Sequence, residues 1–321
     1  MIYLNTSDIE KIGIDWKKCL EVIKDTVVAH CSGDTVQPIK PYLRFDKPRN
    51  RIIAMPAYVG AKTKIAGIKW IASFPENIKK GIPRASSVTV LNDAQTGQVV
   101  SIINTSQLSV VRTVSVSALV IDYFVRARHS KRLTVGIIGF GPIGTNHLKM
   151  CESLYGNIIE KIFIYDIDKS KLTSASRQSK RIHACSTWQE AYVASDIVIT
   201  CTVSSKTYID QKPKDGSLLL NVSLRDYTTT VFNFVKNSII VDDWNEVCRE
   251  NTDIEIFHKE KGLEEKQVKT IDNVVINDCI AKYSEKLPIM FNPMGMAMFD
   301  IAIAKFYLNQ AREKKIGLTL D

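Results

Sequence analysis

Three cations in this chain stand where cations are expensive. Arg112 is the only ionisable residue between Asp93 and Asp122, set among Leu108, Val110, Val111, Val114 and Val116. Lys69 is the only one between Lys64 and Glu76, inside a run of β-formers, and Arg44 follows Lys40-Pro-Tyr-Leu. An unpaired buried charge costs on the order of several kcal/mol, so each of these side chains needs an anion or an exit to water. Taken singly, each is more simply a structural ion pair. Taken together, they point to recognition of a carboxylate, which both the arginine fork and the lysine ammonium suit.

Asp226 supplies complementary chemistry. It follows the apolar run Leu218 to Val222, and the carboxyl ends of strands in an open α/β sheet face the ligand crevice. A carboxylate there can accept a proton or activate water; an N-cap or a surface acid is the plainer alternative. Thr202 and Val203 follow the run ending at Cys201 and are placed to line the same edge. His147 falls just inside a helix and reads as structural.

The strongest pattern is Val135-Gly-Ile-Ile-Gly-Phe-Gly-Pro-Ile-Gly144. Gly139, Gly141 and Gly144 form G-x-G-x-x-G after a strand-like run, and Asp166 ends the next such run, Ile162-Phe-Ile-Tyr-Asp. This is the dinucleotide-binding order of strand, glycine turn, helix, strand and acid. The first glycine permits the tight turn and the second lets backbone approach a pyrophosphate. The third allows close helix–strand packing, while the helix that opens at Pro142 and Ile143 offers N–H groups to the anion. Asp166 suits ribose hydroxyls and repels a 2′-phosphate, which favours NAD over NADP.

The elements that must position these residues follow from pattern. Asp15 caps a helix to about Ser32, with Gly33 just beyond. Ile52–Met55, Ile65–Ile71, Ser87–Leu91 and Val99–Ile103 read as strands of an antiparallel sheet, with Asp93–Gly97 a hairpin connection. Thr105 or Ser106 caps a long helix to about Val125. Strand and helix patterns then alternate, as in right-handed βαβ units of a parallel sheet. The strands are the run to Asp166, then 197–201, 218–222 and 239–242, with a helix over about 169–179. The segment 257–270 reads as helical, Val274-Val-Ile276 as a last strand, and Ala297, Ile301, Ala304 and Leu308 as one face of a C-terminal helix.

Composition bounds the rest. The 321 residues, 45% hydrophobic and 24% charged, fit an ordinary globular α/β protein with two cores. No uninterrupted apolar segment reads as a membrane span, and no signal peptide is visible at Met1, so a cytoplasmic protein is expected. Seven cysteines without paired spacing indicate neither a disulfide framework nor a metal site. The net charge of +9 has its densest cluster at Arg126–Arg132, which reads as a solvated connection rather than a nucleic-acid surface, and a basic surface suits an anionic substrate.

These residues resemble the ornithine cyclodeaminase/μ-crystallin family over essentially the whole chain. The resemblance is carried by Arg51-Ile-Ile-Ala-Met-Pro, Gly67-Ile-Lys-Trp-Ile, Leu108-Ser-Val-Val-Arg-Thr-Val-Ser, the glycine turn, Asn221-Val-Ser-Leu-Arg-Asp and Asn292-Pro-Met-Gly-Met-Ala. It implies a Rossmann-type doubly wound parallel sheet that binds NAD, residues 115–302, plus an α+β domain for substrate binding and homodimerisation, residues 1–114 and 303–321. It further implies that Arg44, Lys69 and Arg112 hold a substrate carboxylate and that Asp226, with Lys69, is catalytic. Ser223, Met294 and Gly295 join the glycine turn, Thr202 and Val203 as cofactor-binding candidates.

Within the family, Gln37–Arg44, Arg84-Ala-Ser, Val241–Arg249 and Phe291–Asp300 are similar to dehydrogenases that form L-2,3-diaminopropionate from a carboxylate-rich N-substituted glutamate. Lys40, Arg84 and Arg225 are then candidate anchors for additional carboxylates. The chain departs from the cyclodeaminases at Ile53, where they carry a glutamate, and this argues against ornithine cyclisation. A cofactor-recycling cyclodeaminase and a non-enzymatic nucleotide-binding regulator remain as alternatives.

Overall fold

The computed structural model describes residues 1–45, 50–177 and 179–321, with Ser174 described by its backbone alone. The chain forms two compact units, Met1–Ser115 with Gly295–Asp321, and Val116–Met294. The return to the first unit comes at Gly295 rather than at 303. The reason is local: the helix Ala297–Lys314 packs along its length on first-unit elements, so it is not divided.

The first unit is built on an eight-stranded sheet. Its centre is antiparallel and contains Arg51–Val59, Ile65–Ser73, Ala85–Asp93 and Val99–Asn104. The hairpin expected at Asp93–Gly97 is present, with Asp93 Oδ1 accepting from the N–H groups of Gln95 and Thr96. Four short strands were not anticipated from pattern: Ile2–Asn5, which runs parallel to Val99–Asn104, Leu318–Thr319 beside it, Thr35–Val36 at the far edge, and Tyr42–Leu43, paired with Arg51–Val59. Each is too short for a period-2 signal to register. Alternation sorts the central strands cleanly: Ile53, Met55, Ala57 and Val59 are buried, as are Lys69, Thr89, Leu91 and Ile103. The C-terminal helix covers this face. Asp15 caps the helix Trp16–Cys31 by accepting from Lys18 N–H, as its spacing predicts.

The helix Gln107–Ala127 spans the division between the units. Thr105 Oγ1 accepts from Gln107 N–H at its start. By length and composition alone this helix is long and apolar enough to cross a membrane, but Arg112, Asp122 and Arg126 interrupt it and most of its apolar length is buried in the fold.

The second unit is an eight-stranded, wholly parallel sheet in the order 182–184, 159–165, 133–138, 197–200, 218–221, 289–292, 239–241, 269–270. Ile197–Thr200, Leu218–Asn221 and Ile289–Asn292 are buried throughout, as strands covered on both faces must be. From Leu133–Ile138 the chain builds outward twice, then returns to place Ile197–Thr200 on the opposite side. That reversal of strand order fixes where an open α/β sheet receives its ligand.

Two expectations in this unit are corrected. Val274–Ile276 lies in the helix Ile271–Asn277, started by a capping box between Thr270 and Asn273, and the strand expected there is Ile289–Asn292. The 257–270 segment is not one helix. Thr252 caps a helix Asp253–Lys261, Gly262 ends it with φ +70, and a short strand Lys269–Thr270 follows. The helix placed at 169–179 is confined to Ser170–Ser176. The arginines of the basic cluster are paired within the protein: Arg126 with Asp122, Arg128 with the carbonyls of Tyr283 and Ser284, and Arg132 with Glu160.

Candidate active site

In the second unit the strand Leu133–Ile138 delivers the chain into the glycine turn, and the helix Pro142–Tyr155 leaves it. The three glycines occupy different environments. Gly139 has φ +93, and a Cβ there would lie 2.7 Å from the Cys201 carbonyl carbon. At Gly144 a Cβ would lie 2.1 Å from Gly139 O, so only glycine lets helix and turn close. A Cβ at Gly141 would meet nothing within 4 Å. That last position opens onto space at a helix N-terminus whose first residue, Pro142, has no N–H to leave unsatisfied. The arrangement fits a dinucleotide pyrophosphate.

Asp166 stands just past the strand Ile159–Tyr165 and is nearly buried. Its Oδ2 accepts from Phe140 N–H at 2.7 Å, and its Oδ1 accepts from Asp168 N–H at 2.8 Å. Lys171 Nζ also lies 3.4 Å from Oδ1, so the carboxylate braces the glycine turn directly and Oδ2 retains a lone pair for a further donor.

Asp226 is fully buried. Thr202 Oγ1 donates to its Oδ1 at 2.5 Å and Ser223 Oγ donates to its Oδ2, so the ends of two adjacent strands converge on one carboxyl. Burial raises its pKa above the usual carboxylate range, while the hydroxyls of Ser223, Thr202 and Thr200 restrain the rise. The turn that delivers it passes through Leu224 at φ +65, a conformation strained for a branched side chain. Leu224 is held from both sides: its N–H donates to Asn221 Oδ1 at 3.0 Å, and its carbonyl accepts from Asp253 N–H at 2.8 Å.

A second buried carboxyl supports this turn. Asp253 Oδ2 accepts from Asn221 Nδ2 at 2.9 Å and from the N–H groups of Asp226 and Tyr227, both at 3.1 Å. Burial pushes its pKa up to about 7, the donors of Tyr227 and Asn221 oppose the shift, and the Asp226 charge adds to it. Asn221 Nδ2 also donates to Asn292 Oδ1 at 2.8 Å, tying in the segment that carries Met294, whose N–H donates to Asp242 Oδ1 at 3.0 Å. Val203 is exposed. His147 is buried between Ile143 O and Ser117 Oγ, and burial lowers its pKa to about 4, in keeping with a neutral structural imidazole.

In the first unit, Lys69 and Arg112 meet the same anion. Lys69 Nζ lies 2.8 Å from Asp300 Oδ2 and Arg112 Nε lies 3.0 Å from Asp300 Oδ1, with the three side chains 2%, 9% and 3% exposed. Lys40, also buried, donates from Nζ to the carbonyl of Gly295 at 2.7 Å. Gly295, at φ +92, faces the guanidinium edge of Arg112: a Cβ there would lie 2.4 Å from Nη1 and 2.9 Å from Nη2. Only glycine lets the chain pass this close to the guanidinium.

The other expected cations are placed differently. Arg44 is exposed, with its guanidinium 5.4 Å over the Tyr42 ring. Arg84 precedes the strand Ala85–Asp93, and its carbonyl accepts from Phe74 N–H. Arg225 donates from Nε and Nη2 to the carbonyl of Glu250. Ile53 is buried in its strand opposite Ile71.

Sequence reasoning missed Asp300, although the signal was available. It is the only ionisable residue between Lys286 and Lys305, the same isolation that marks Arg112. Asp253 has no such signal, since Glu250 and Glu255 flank it.

A parallel sheet with a glycine turn at its strand-order reversal, carried with an α+β unit in one chain, defines a two-unit dinucleotide-binding protein. The chain belongs to the ornithine cyclodeaminase/mu-crystallin family, whose model matches residues 3–315. It is 34% identical over 339 aligned positions to N-((2S)-2-amino-2-carboxyethyl)-L-glutamate dehydrogenase of Staphylococcus aureus (strain NCTC 8325 / PS 47), covering 100% of this chain and 98% of the relative. Among solved structures, Delta(1)-pyrroline-2-carboxylate reductase of Thermococcus litoralis, in complex with NADH and L-proline, superposes with TM-score 0.89 at 24% identity, with 100% of each chain covered. An archaeal alanine dehydrogenase dimer with bound NAD gives TM-score 0.84 at 20% identity, covering 100% of this chain and 99% of that one. The two structures share the fold.

Proposed function

We propose that this chain is an NAD-dependent amino-acid dehydrogenase that oxidises N-(1-amino-1-carboxy-2-ethyl)-L-glutamate at the glutamate Cα–N bond and hydrolyses the resulting imine to L-2,3-diaminopropionate and 2-oxoglutarate. The observation that carries the reading is the full-length similarity, at 34% identity, to a dehydrogenase of that same glutamate adduct. The glycine turn, the buried carboxyl of Asp226 and the buried cations Lys69 and Arg112 each support one part of it.

Bound NAD+ supplies the hydride acceptor for the Cα hydrogen. Its pyrophosphate is assigned to the backbone around Gly139, Gly141, Pro142, Ile143 and Gly144, its ribose to Asp166, and its remaining contacts to Thr202, Val203, Ser223 and Met294. Lys69 and Arg112, with Arg44, fix the glutamyl carboxylate, and restricting that group lowers the entropic part of the barrier. Lys40, Arg84 and Arg225 are assigned to the substrate's other carboxylates. Oxidation removes a hydride from Cα and a proton from the nitrogen, the proton passing to solvent, and leaves a C=N bond. Asp226 takes a proton from the water that adds to the imine carbon and returns one to the departing amine, and burial, which raises its pKa, favours its holding that proton between the two transfers. The diamino acid is assigned to siderophore or peptide natural-product assembly.

A homodimer through the first unit's sheet forms part of the same reading. The face opposite the C-terminal helix carries Ala54, Ile68, Val88, Val90 and Ile102, only partly buried, and Trp70, 42% exposed. A sheet face turned to water is ordinarily polar.

The test is NADH formation with the glutamate adduct and NAD+. Stoichiometric NADH with 2-oxoglutarate is expected; ammonia and a ring product without net NADH would instead indicate a cyclodeaminase.

A further inference from the structure

We propose that Asp300 is a positioning residue for substrate recognition, the fixed internal counter-ion that orders Lys69 and Arg112 so that the pair receives a ligand carboxylate. The inference deepens the dehydrogenase reading and rests on it only in taking the ligand to be a carboxylate.

The geometry separates two edges of Arg112. Its Nε is bonded to Asp300 Oδ1, while Nη1 and Nη2 lie against Gly295, where a Cβ would crowd both. A guanidinium anchored through Nε to a carboxylate is held in one plane and orientation. Asp300 itself sits in the first turn of the helix Ala297–Lys314, where the macrodipole favours negative charge. Burial opposes its ionisation, but Arg112 and then Lys69 outweigh burial and hold its carboxyl below the usual range.

Lys69 depends on this anion more than Arg112 does, because an ammonium can lose its proton on burial and a guanidinium does not. The charged groups facing Lys69 are Asp300 on the C-terminal helix, Arg112 on the helix Gln107–Ala127 and Lys40 ahead of Tyr42, with the neutral Ser109 hydroxyl at 3.4 Å. Burial draws its pKa down to about 8, Asp300 pushes it back up, and Arg112 and Lys40 add to the fall. Without Asp300, Lys69 would lose its proton at lower pH and stop attracting a carboxylate.

The experiment measures 2-oxoglutarate affinity of the full-length protein with NADH present, across pH, for wild type, Asp300→Asn, Asp300→Glu and Lys69→Met. Wild-type affinity should fall through an inflection near pH 8, and Asp300→Asn should move that inflection lower, weakening binding at pH 8 by about tenfold for each pH unit of displacement. Asp300→Glu, which keeps the charge, should restore it, and Lys69→Met should abolish it. An unmoved inflection in Asp300→Asn, or a persistent one in Lys69→Met, would overturn the proposal; the second variant decides the matter if the first does not fold. Absence of wild-type binding would overturn it as well. A moved inflection in a protein that forms no NADH from the glutamate adduct would leave this inference standing and dispose of the dehydrogenase reading alone.

Discussion

The backbone N–H of Asp226 donates to Oδ2 of Asp253 at 3.1 Å, so one buried carboxyl holds the main chain that presents another. Asp253 is the first residue of its helix, and its helical position and the Asp226 turn fix each other.

This pair makes a pH prediction with a definite sign. Asp253 is raised from its ordinary value of 3.8 to about 7 in the folded protein, so between those values the folded state holds more protons than the unfolded one. Its contribution to stability is therefore present at low pH and is lost as pH rises through that window. Urea unfolding at pH 5 and pH 8 should show a steeper loss for wild type than for Asp253→Asn, the difference isolating this group from other titrations. Equal losses would mean that Asp253 is not raised.

Asp226→Asn should lower kcat by roughly 10²–10⁴, the range for loss of a positioned acid–base group, with NAD+ affinity unchanged. Steady-state kinetics beside NAD+ titration separates the two. Unchanged turnover would favour a nucleotide-binding protein without this chemistry.

The second and third glycines of the turn should respond oppositely. Gly144→Ala places a Cβ 2.1 Å from Gly139 O and should destabilise the fold by about 1–3 kcal/mol, as overpacking does. Gly141→Ala meets no protein atom within 4 Å, so its unfolding midpoint should stay near wild type while NAD+ affinity falls. Thermal unfolding with and without NAD+ reads both, and equal destabilisation by the two substitutions would contradict the assignment of Gly141.

Asp166→Asn keeps an acceptor for Phe140 N–H but removes the charge that repels a 2′-phosphate. The ratio of kcat/KM for NAD+ over NADP+ should fall by about tenfold, the effect of some 1.4 kcal/mol. A ratio unchanged by the substitution would place the 2′ position elsewhere.

Much of the architecture was legible because it rests on local rules. Asp15 caps its helix through a neighbour three residues on, and Gly144 is demanded by the carbonyl of Gly139 within the same turn. What escaped was set by distance along the chain. Arg112 and Asp300 are 188 residues apart, and isolation in apolar sequence says that each needs a partner without saying which. The error at Val274–Ile276 is of another kind: three β-branched residues read as a strand until the Thr270–Asn273 capping box starts a helix beneath them. The short strands Ile2–Asn5 and Leu318–Thr319 exist by pairing with each other and with Val99–Asn104, information that no single segment holds.

The most direct test of the central claim is a single-turnover balance with purified protein, NAD+ and N-(1-amino-1-carboxy-2-ethyl)-L-glutamate. One NADH, one 2-oxoglutarate and one L-2,3-diaminopropionate per substrate consumed is the predicted result. Substrate consumption without NADH, or NADH formed only from a different amino acid, would contradict it.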